Sequence, residues 1–365
     1  MNKSGNQNLQ FNWEKGFSLL ELLVSMVIFL IVITTIYGLL QVGLIDKNRS
    51  SRRADVLKNA RAAMHLIGRD ALNAGLSYNK SGAMVPDGFI STRLGLPVDA
   101  DTERDLLTGV IGGNDLFTNI LQDDPSLKTD LIAFAYRDVT FKNGNVVSLN
   151  NAAAAPSAAS TVRLQTKTND AANSSAYDLY LLESDSSQVA IMTTAIPNSS
   201  AIDIAPNDPL GINQPLDGAG IDGSLLKKCD AVVVENCTTY VASLKRFFWV
   251  AYKVKSDGTL VRQLFGNNTG AGAATQIQEM PLAYNVQDLQ FRYVLEDGTV
   301  TDNPSAGADN VAGTADDRPA DFNLVRQIIV SIKVQSVEND EQTNQLETVT
   351  LTSTFSTRNL EYDAG

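Results

Sequence analysis

Apolar positions near the start of the chain follow two successive patterns. From Leu22 to Leu40 no residue is charged, and at 1.5 Å per residue such a helix reaches roughly 28 Å, close to the thickness of a bilayer's hydrocarbon core. This predicts one membrane-spanning helix. Beyond it, Val56, Ala60, Ala63, Ile67 and Ala71, with Leu57, Met64 and Leu72 beside them, recur at three- and four-residue spacing and form one apolar stripe. Gly75 offers a stop, so a single helix is expected from about Phe17 to Asn73. From Ser77 the pattern changes to short β-like runs between turn-rich loops: 131–136, 176–182, 189–193, 231–235, 247–254, 260–265, 286–295, 324–335 and 348–357. In the penultimate run Ile328, Val330, Ile332 and Val334 face one way, and Ser331, Lys333 and Gln335 the other. The expected domain is α+β: an antiparallel sheet with one buried face, packed against the helix. Long loops are expected at 150–160, 266–275 and 297–321, and no internal repeat is visible.

Composition narrows the chemistry. The 365 residues, 44% of them hydrophobic, suffice for a sizeable core, and the formal net charge of -12 argues against a nucleic-acid binder, which needs a basic face to replace the counterions of phosphate. One histidine, His65, and two cysteines leave little for metal or dyad chemistry. His65 falls on the amphipathic stretch and reads as a helix-surface residue. No G-x-S-x-G, Walker loop or metal-ligand cluster appears, so no catalytic residue is assigned and the protein is not expected to be an enzyme. A removed secretory signal does not fit. The apolar run is too long, and Gln41 to Asp55 is polar and basic without a small-residue cleavage site.

The head of the run holds a lone carboxylate, Glu21, where a charge is costly. Lys15, Gly16, Phe17, Ser18, Leu19, Leu20, Glu21, Leu22 and Leu23 resemble the signal of type IV pilins and type II secretion pseudopilins. In those proteins a polar leader ends in glycine, phenylalanine becomes the new N-terminus, and a glutamate stands at the fifth mature position. The resemblance implies cleavage between Gly16 and Phe17 by prepilin peptidase and methylation of the Phe17 amine. It also implies that Glu21 meets the Phe17 amine of a neighbouring subunit and sets register in the filament. Gly38 stands where major pilins often carry a kinking proline and is expected to soften the helix. The implied division is a leader at 1–16, a transmembrane or filament-core helix at 17–45, its amphipathic continuation at 46–76, and a periplasmic β-rich domain at 77–365. Orientation meets a conflict: Lys47, Arg49, Arg52 and Arg53 outnumber Lys3 and Lys15 across the span, which by charge alone places the C-terminal side in the cytoplasm. The processing signal places it in the periplasm, and Asp46 and Asp55 partly offset the basic cluster.

Towards the C-terminus, FFWVAYKVKSDGTLVRQLF, MPLAYNVQDLQFRYVLEDGTV, DFNLVRQIIVSIKVQS and LTSTFSTRNL follow in order, and RDALNAGLSYN follows the helix. This succession resembles PilW-type minor pilins, with Leu76 where an aromatic is usual. It implies a structural subunit in type IV pilus assembly or initiation, at the pilus or its tip, that works with prepilin peptidase, other minor pilins, the major pilin and the inner-membrane assembly platform, without direct contact to nucleic acid. A J-type minor pseudopilin of type II secretion and a membrane-tethered adhesin are the alternatives. In an oxidising periplasm Cys229 and Cys237 are expected to form a disulfide, with free or partly buried thiols as the alternative. Fully extended, eight residue steps would separate the two by roughly 26 Å, so a turn within Val234 to Asn236 or a bulge must bring them together. Asp302, Asp309, Asp316, Asp317 and Asp321 could offer oxygens to calcium, but no EF-hand spacing is present and no cofactor is assigned.

Overall fold

A computed structural model describes residues 16, 18–78, 82–98, 104–122, 124, 127–150, 161–183, 188–206, 208–213, 243–305, 307, 319–340 and 344–361. The helix α1 runs unbroken from Leu19 to Asn73, 55 residues, and passes through Gly38 without a break. It contains no proline. It ends where Gly75 takes a left-handed φ of +77° and sends its N–H to the Ala135 carbonyl at 3.0 Å. A side chain at Gly75 would run into Leu360, so its backbone angle and its close packing both require glycine.

Seventeen strands and a short second helix follow among the described residues. In chain order these are β1 Ala83–Val85, α2 Phe89–Leu94, β2 Asp105–Leu107, β3 Val110–Phe117, β4 Thr129–Arg137, β5 Val147–Ser148, β6 Val162–Gln165, β7 Leu179–Glu183, β8 Gln188–Met192, β9 Ala195–Asn198, β10 Ala201–Ile204, β11 Ser243–Val254, β12 Leu260–Phe265, β13 Ile277–Ala283, β14 Val286–Leu295, β15 Val300–Thr301, β16 Val325–Asn339 and β17 Leu346–Ser356. They form three sheets rather than the one expected. A ten-stranded sheet has the path β13-β12-β11-β7-β8-β1-β2, with β3, β4 and β5 joined through β4 and β11. A four-stranded sheet has the order β15-β14-β16-β17, and a three-stranded sheet the order β6-β10-β9. All pairings are antiparallel except β1 with β8.

The expectation of one buried face fails at the centre, for a physical reason. Strands β4 and β11 lie between two cores. Ile132, Phe134, Tyr136, Val250 and Tyr252 face Ala60, Ala63, Met64, Ile67 and Ala71 of α1. Leu131, Ala133, Ala135, Phe247 and Trp249 face away from it into a second core with Phe89, Ile90 and Leu94 of α2. A strand covered on both sides reads as continuous apolar sequence rather than alternation. In β16, by contrast, the expected alternation holds: Ile328, Val330, Ile332 and Val334 are buried toward α1. A third core, around Tyr180, Leu182, Ile191 and Ile202, joins the small sheet to β7, β8 and the start of β11 in the large one.

Side chains sew the large and four-stranded sheets together where β4 meets β14. The Asp130 carboxylate accepts from Phe291 N at 2.7 Å and, through its other oxygen, from Asp115 N at 2.8 Å. Gln290 Nε2 donates to the Lys128 carbonyl at 2.8 Å, and Asn119 Nδ2 to the Gln287 carbonyl at 3.1 Å. Burial raises the Asp130 carboxyl to about 7 despite the two N–H donors, with Asp115 and Asp288 adding to the rise.

Candidate functional site

The functional features are a helix head, a bare apolar shaft, and a clamp that fixes the far half of the helix to the sheets. At the head, Ser18 is the N-cap. Its Oγ accepts from Glu21 N at 3.2 Å, and its own N–H donates to Glu21 Oε2 at 3.0 Å. This reciprocal box satisfies two donors that a helix start leaves open, with the acidic side chain at the favourable end of the helix dipole. Glu21 therefore closes the cap of its own helix. Sequence reading missed Ser18, although S-x-x-E before an apolar run is a legible capping signal. Gly16 is exposed just before the cap, and Phe17 lies outside the described residues.

From Leu19 through Leu44 every residue of the shaft is exposed. By length and composition this stretch suffices to cross a membrane, and none of it is covered by the rest of the chain. Thr34 and Thr35 turn their hydroxyls back onto Leu30 and Ile31 carbonyls, so their polar atoms do not interrupt the apolar surface.

The clamp centres on Asp70, which is fully buried. Its carboxylate accepts from Tyr136 OH at 3.1 Å, Tyr252 OH at 2.6 Å and Arg262 Nε at 2.9 Å, and from the half-exposed Arg69 at 3.0 Å. One helical carboxylate is thereby bonded to β4, β11 and β12. Burial, with the Asp70 charge second, pushes both phenols above their ordinary range, so they remain donors at physiological pH. Two residues beyond, Asn359 Nδ2 donates to the Leu72 carbonyl at 2.7 Å and satisfies a group the helix end leaves open. Leu360 packs against Gly75 and Gly109. Lower down, Gly68 lies against the Phe355 ring so closely that a Cβ there would fall 2.2 Å from it.

Nearer the shaft a charged band ties α1 to the β16–β17 hairpin. Arg53 pairs with Glu347 at 2.8 Å, Arg52 with Glu338 at 3.7 Å, and Arg49 with Asp340 at 3.6 Å and Glu347 at 3.8 Å.

The sequence blocks that carried the resemblance thus meet in space: RDALNAG supplies Asp70 and Gly75, GTLVR of the first C-terminal block supplies Arg262, and the RN of LTSTFSTRNL supplies Asn359. His65 is exposed on α1, as expected. Cys229 and Cys237 lie outside the described residues, as do Asp309, Asp316 and Asp317, while Asp302 accepts from Arg292 at 2.9 Å. Among the described residues, no group of three or more histidine, cysteine, aspartate or glutamate side chains is arranged to hold a metal.

A family model described as the prokaryotic N-terminal methylation motif matches residues 14–37, covering the residues just before the cap, the cap and most of the shaft. Neither a curated protein nor a solved structure matches the chain. With that motif seated at the head of a helix fit to cross a membrane, the chain is type IV pilin-like at its N-terminus and carries the signal on which prepilin peptidase acts.

Proposed function

We propose that the protein is a minor pilin, a structural subunit of a type IV pilus or of the complex that initiates one. Prepilin peptidase cleaves it between Gly16 and Phe17 and methylates the Phe17 amine, and the shaft then passes from the inner membrane into the filament core. The observation that carries this reading is the coincidence of the methylation motif with an uninterrupted, wholly exposed apolar helix whose far half is locked into a β-rich domain. A helix bare on all sides is stable only in lipid or among other apolar helices, and assembly exchanges one for the other. The Ser18 box holds Glu21 at the head of the helix, within about one turn of the new amine, from where its carboxylate passes to a neighbour's terminus in the filament.

A periplasmic C-terminal domain agrees with the charged band. Arg49, Arg52 and Arg53, which by the positive-inside rule speak for the opposite topology, are paired with Glu338, Asp340 and Glu347 of their own domain. Mass spectrometry of the membrane-extracted protein, with and without the peptidase, tests the proposal. A chain beginning at Phe17 with one added methyl group, seen only when the peptidase is present, is expected. An intact leader in both strains would overturn it.

A further inference from the structure

The uncharged part of α1 is longer than a bilayer needs. Leu22 to Ile45 spans 24 residues without a charge, roughly 36 Å at 1.5 Å per residue, against a hydrocarbon core of about 30 Å. An overlong helix accommodates by tilting, and the side to which it leans is set by whatever anchors meet the interface. The folded domain supplies such anchors on one side.

Strand β17 climbs α1 in the same direction: Glu347 lies beside Arg53, Phe355 beside Gly68, and Asn359 beside Leu72. The β16–β17 hairpin end is therefore the end of the domain nearest the shaft, and Ile45 is the first helix residue that is partly covered. Val337, 79% exposed, and the exposed Leu346 flank this end. The β13–β14 turn sits beside it, because the Asn285 carbonyl accepts from Gln335 N at 2.9 Å, and this turn exposes Tyr284. The β3–β4 connection joins the same rim. Ile120 N donates to the Ser256 carbonyl, Gly258 of that β11–β12 turn accepts from Val286 N at the start of β14, and Leu121 covers Gly258. Ile120 is 78% exposed, and Leu127 of the same connection is exposed too.

Three separate connections thus expose aliphatic side chains and one tyrosine at the shaft end of the domain. We infer that Ile120, Tyr284 and Val337, with Leu127 and Leu346, form a rim that rests on the lipid interface while the subunit is membrane-resident. The rim sets the direction of tilt and is released when the subunit is extracted. A bilayer fits better than a protein groove-binder because the residues are dispersed over three neighbouring connections and strand ends at the shaft end of the domain, and because aliphatic side chains with an amphipathic tyrosine are the ones that settle at a lipid interface. The arginines beside the β16–β17 hairpin end are already paired with carboxylates, which leaves the rim's apolar contacts to act without a large net charge there.

The inference rests on membrane insertion of the shaft, and one experiment separates the two. In full-length Trp13→Phe protein reconstituted in phosphatidylcholine and phosphatidylglycerol vesicles, tryptophan is placed singly at Ile120, Tyr284, Val337, Ile36 and Val139, and quenching by acyl-chain-brominated lipid is read. Trp249 is fully buried and gives a constant background. Val139 is exposed and follows the end of β4 that meets Gly75 and Leu76, far from the rim. The same indole there controls for tryptophan's own affinity for lipid. The expected result is strong quenching at Ile36→Trp, and at the three rim sites quenching at least twofold above Val139→Trp. Quenching at Ile36→Trp with rim sites no different from Val139→Trp would overturn the rim while leaving the anchor standing. No quenching at Ile36→Trp would overturn the membrane reading itself.

Discussion

Asp70 shows how a single side chain joins distant parts of the chain. Its bond to Arg262 crosses 192 positions of sequence and its bond to Tyr252 crosses 182. The Arg262 side chain is only 12% exposed, so removing its partner strands a cation in a poorly solvated place. Asp70→Asn is expected to destabilise the protein by about 3 kcal/mol, read as a lower urea midpoint in detergent micelles. Asp130 behaves differently. Its folded-state pKa of about 7 lies above the ordinary 3.8, so between those values the folded protein binds more protons than the unfolded chain. Stability therefore falls as pH rises from about 4 to 7 and levels off above, with this one group contributing at most about 1.4 kcal/mol per pH unit. Urea midpoints of the wild type and Asp130→Asn across that window are the check: the difference between them should carry the slope. Of these residues sequence revealed only part. Gly16, Phe17 and Glu21 stood out because their signal is local, within six positions. Asp70 and Arg262 each look like ordinary surface charge until the fold brings them together.

At the scale of elements, small residues decide where the helix can lie. Ala60, Ala63, Gly68 and Ala71 let α1 approach the sheets closely, and Gly68 receives the Phe355 ring. Gly68→Val is expected to push the helix off β17 and cost about 1–3 kcal/mol, despite valine's better helix propensity than glycine's. Hydrogen exchange should show lost protection in β17, with the first turns of α1 unchanged. Strands with clear periodicity were readable: β12 and β14 begin and end where the pattern of apolar residues predicts, and β16 and β17 differ by a few residues at their ends. Those that escaped have physical reasons. Strand β3 carries Gly112, Gly113 and a register shift, and β13 contains Pro281. Proline is tolerated there because β13 is an edge, and on an edge it also blocks pairing with stray strands.

The whole molecule is less legible than its parts. One sheet on one helix was the expectation, while three sheets around three cores is the result: the continuous apolar runs of β4 and β11 signal cover on both faces, but nothing local says which elements supply it. The joint between the large and four-stranded sheets is carried by Asp130, just ahead of a predicted strand, by Gln290, inside one, and by Asn119, outside any, and none of the three is marked in the sequence as a joint. The long helix survived this reorganisation intact, since its stripe and its Gly75 stop are properties of the sequence alone. The route of β17 along α1 also sets an order in time. The ribosome finishes the helix about 250 residues before it begins β16, an interval on the order of tens of seconds at ordinary elongation rates. Strands β4 and β11 are made within that interval, but the part of the helix stripe that β16 and β17 cover stays open to its end. A chain interrupted before Leu346 is left with that stripe partly uncovered, free to stick to any other helix in the same condition.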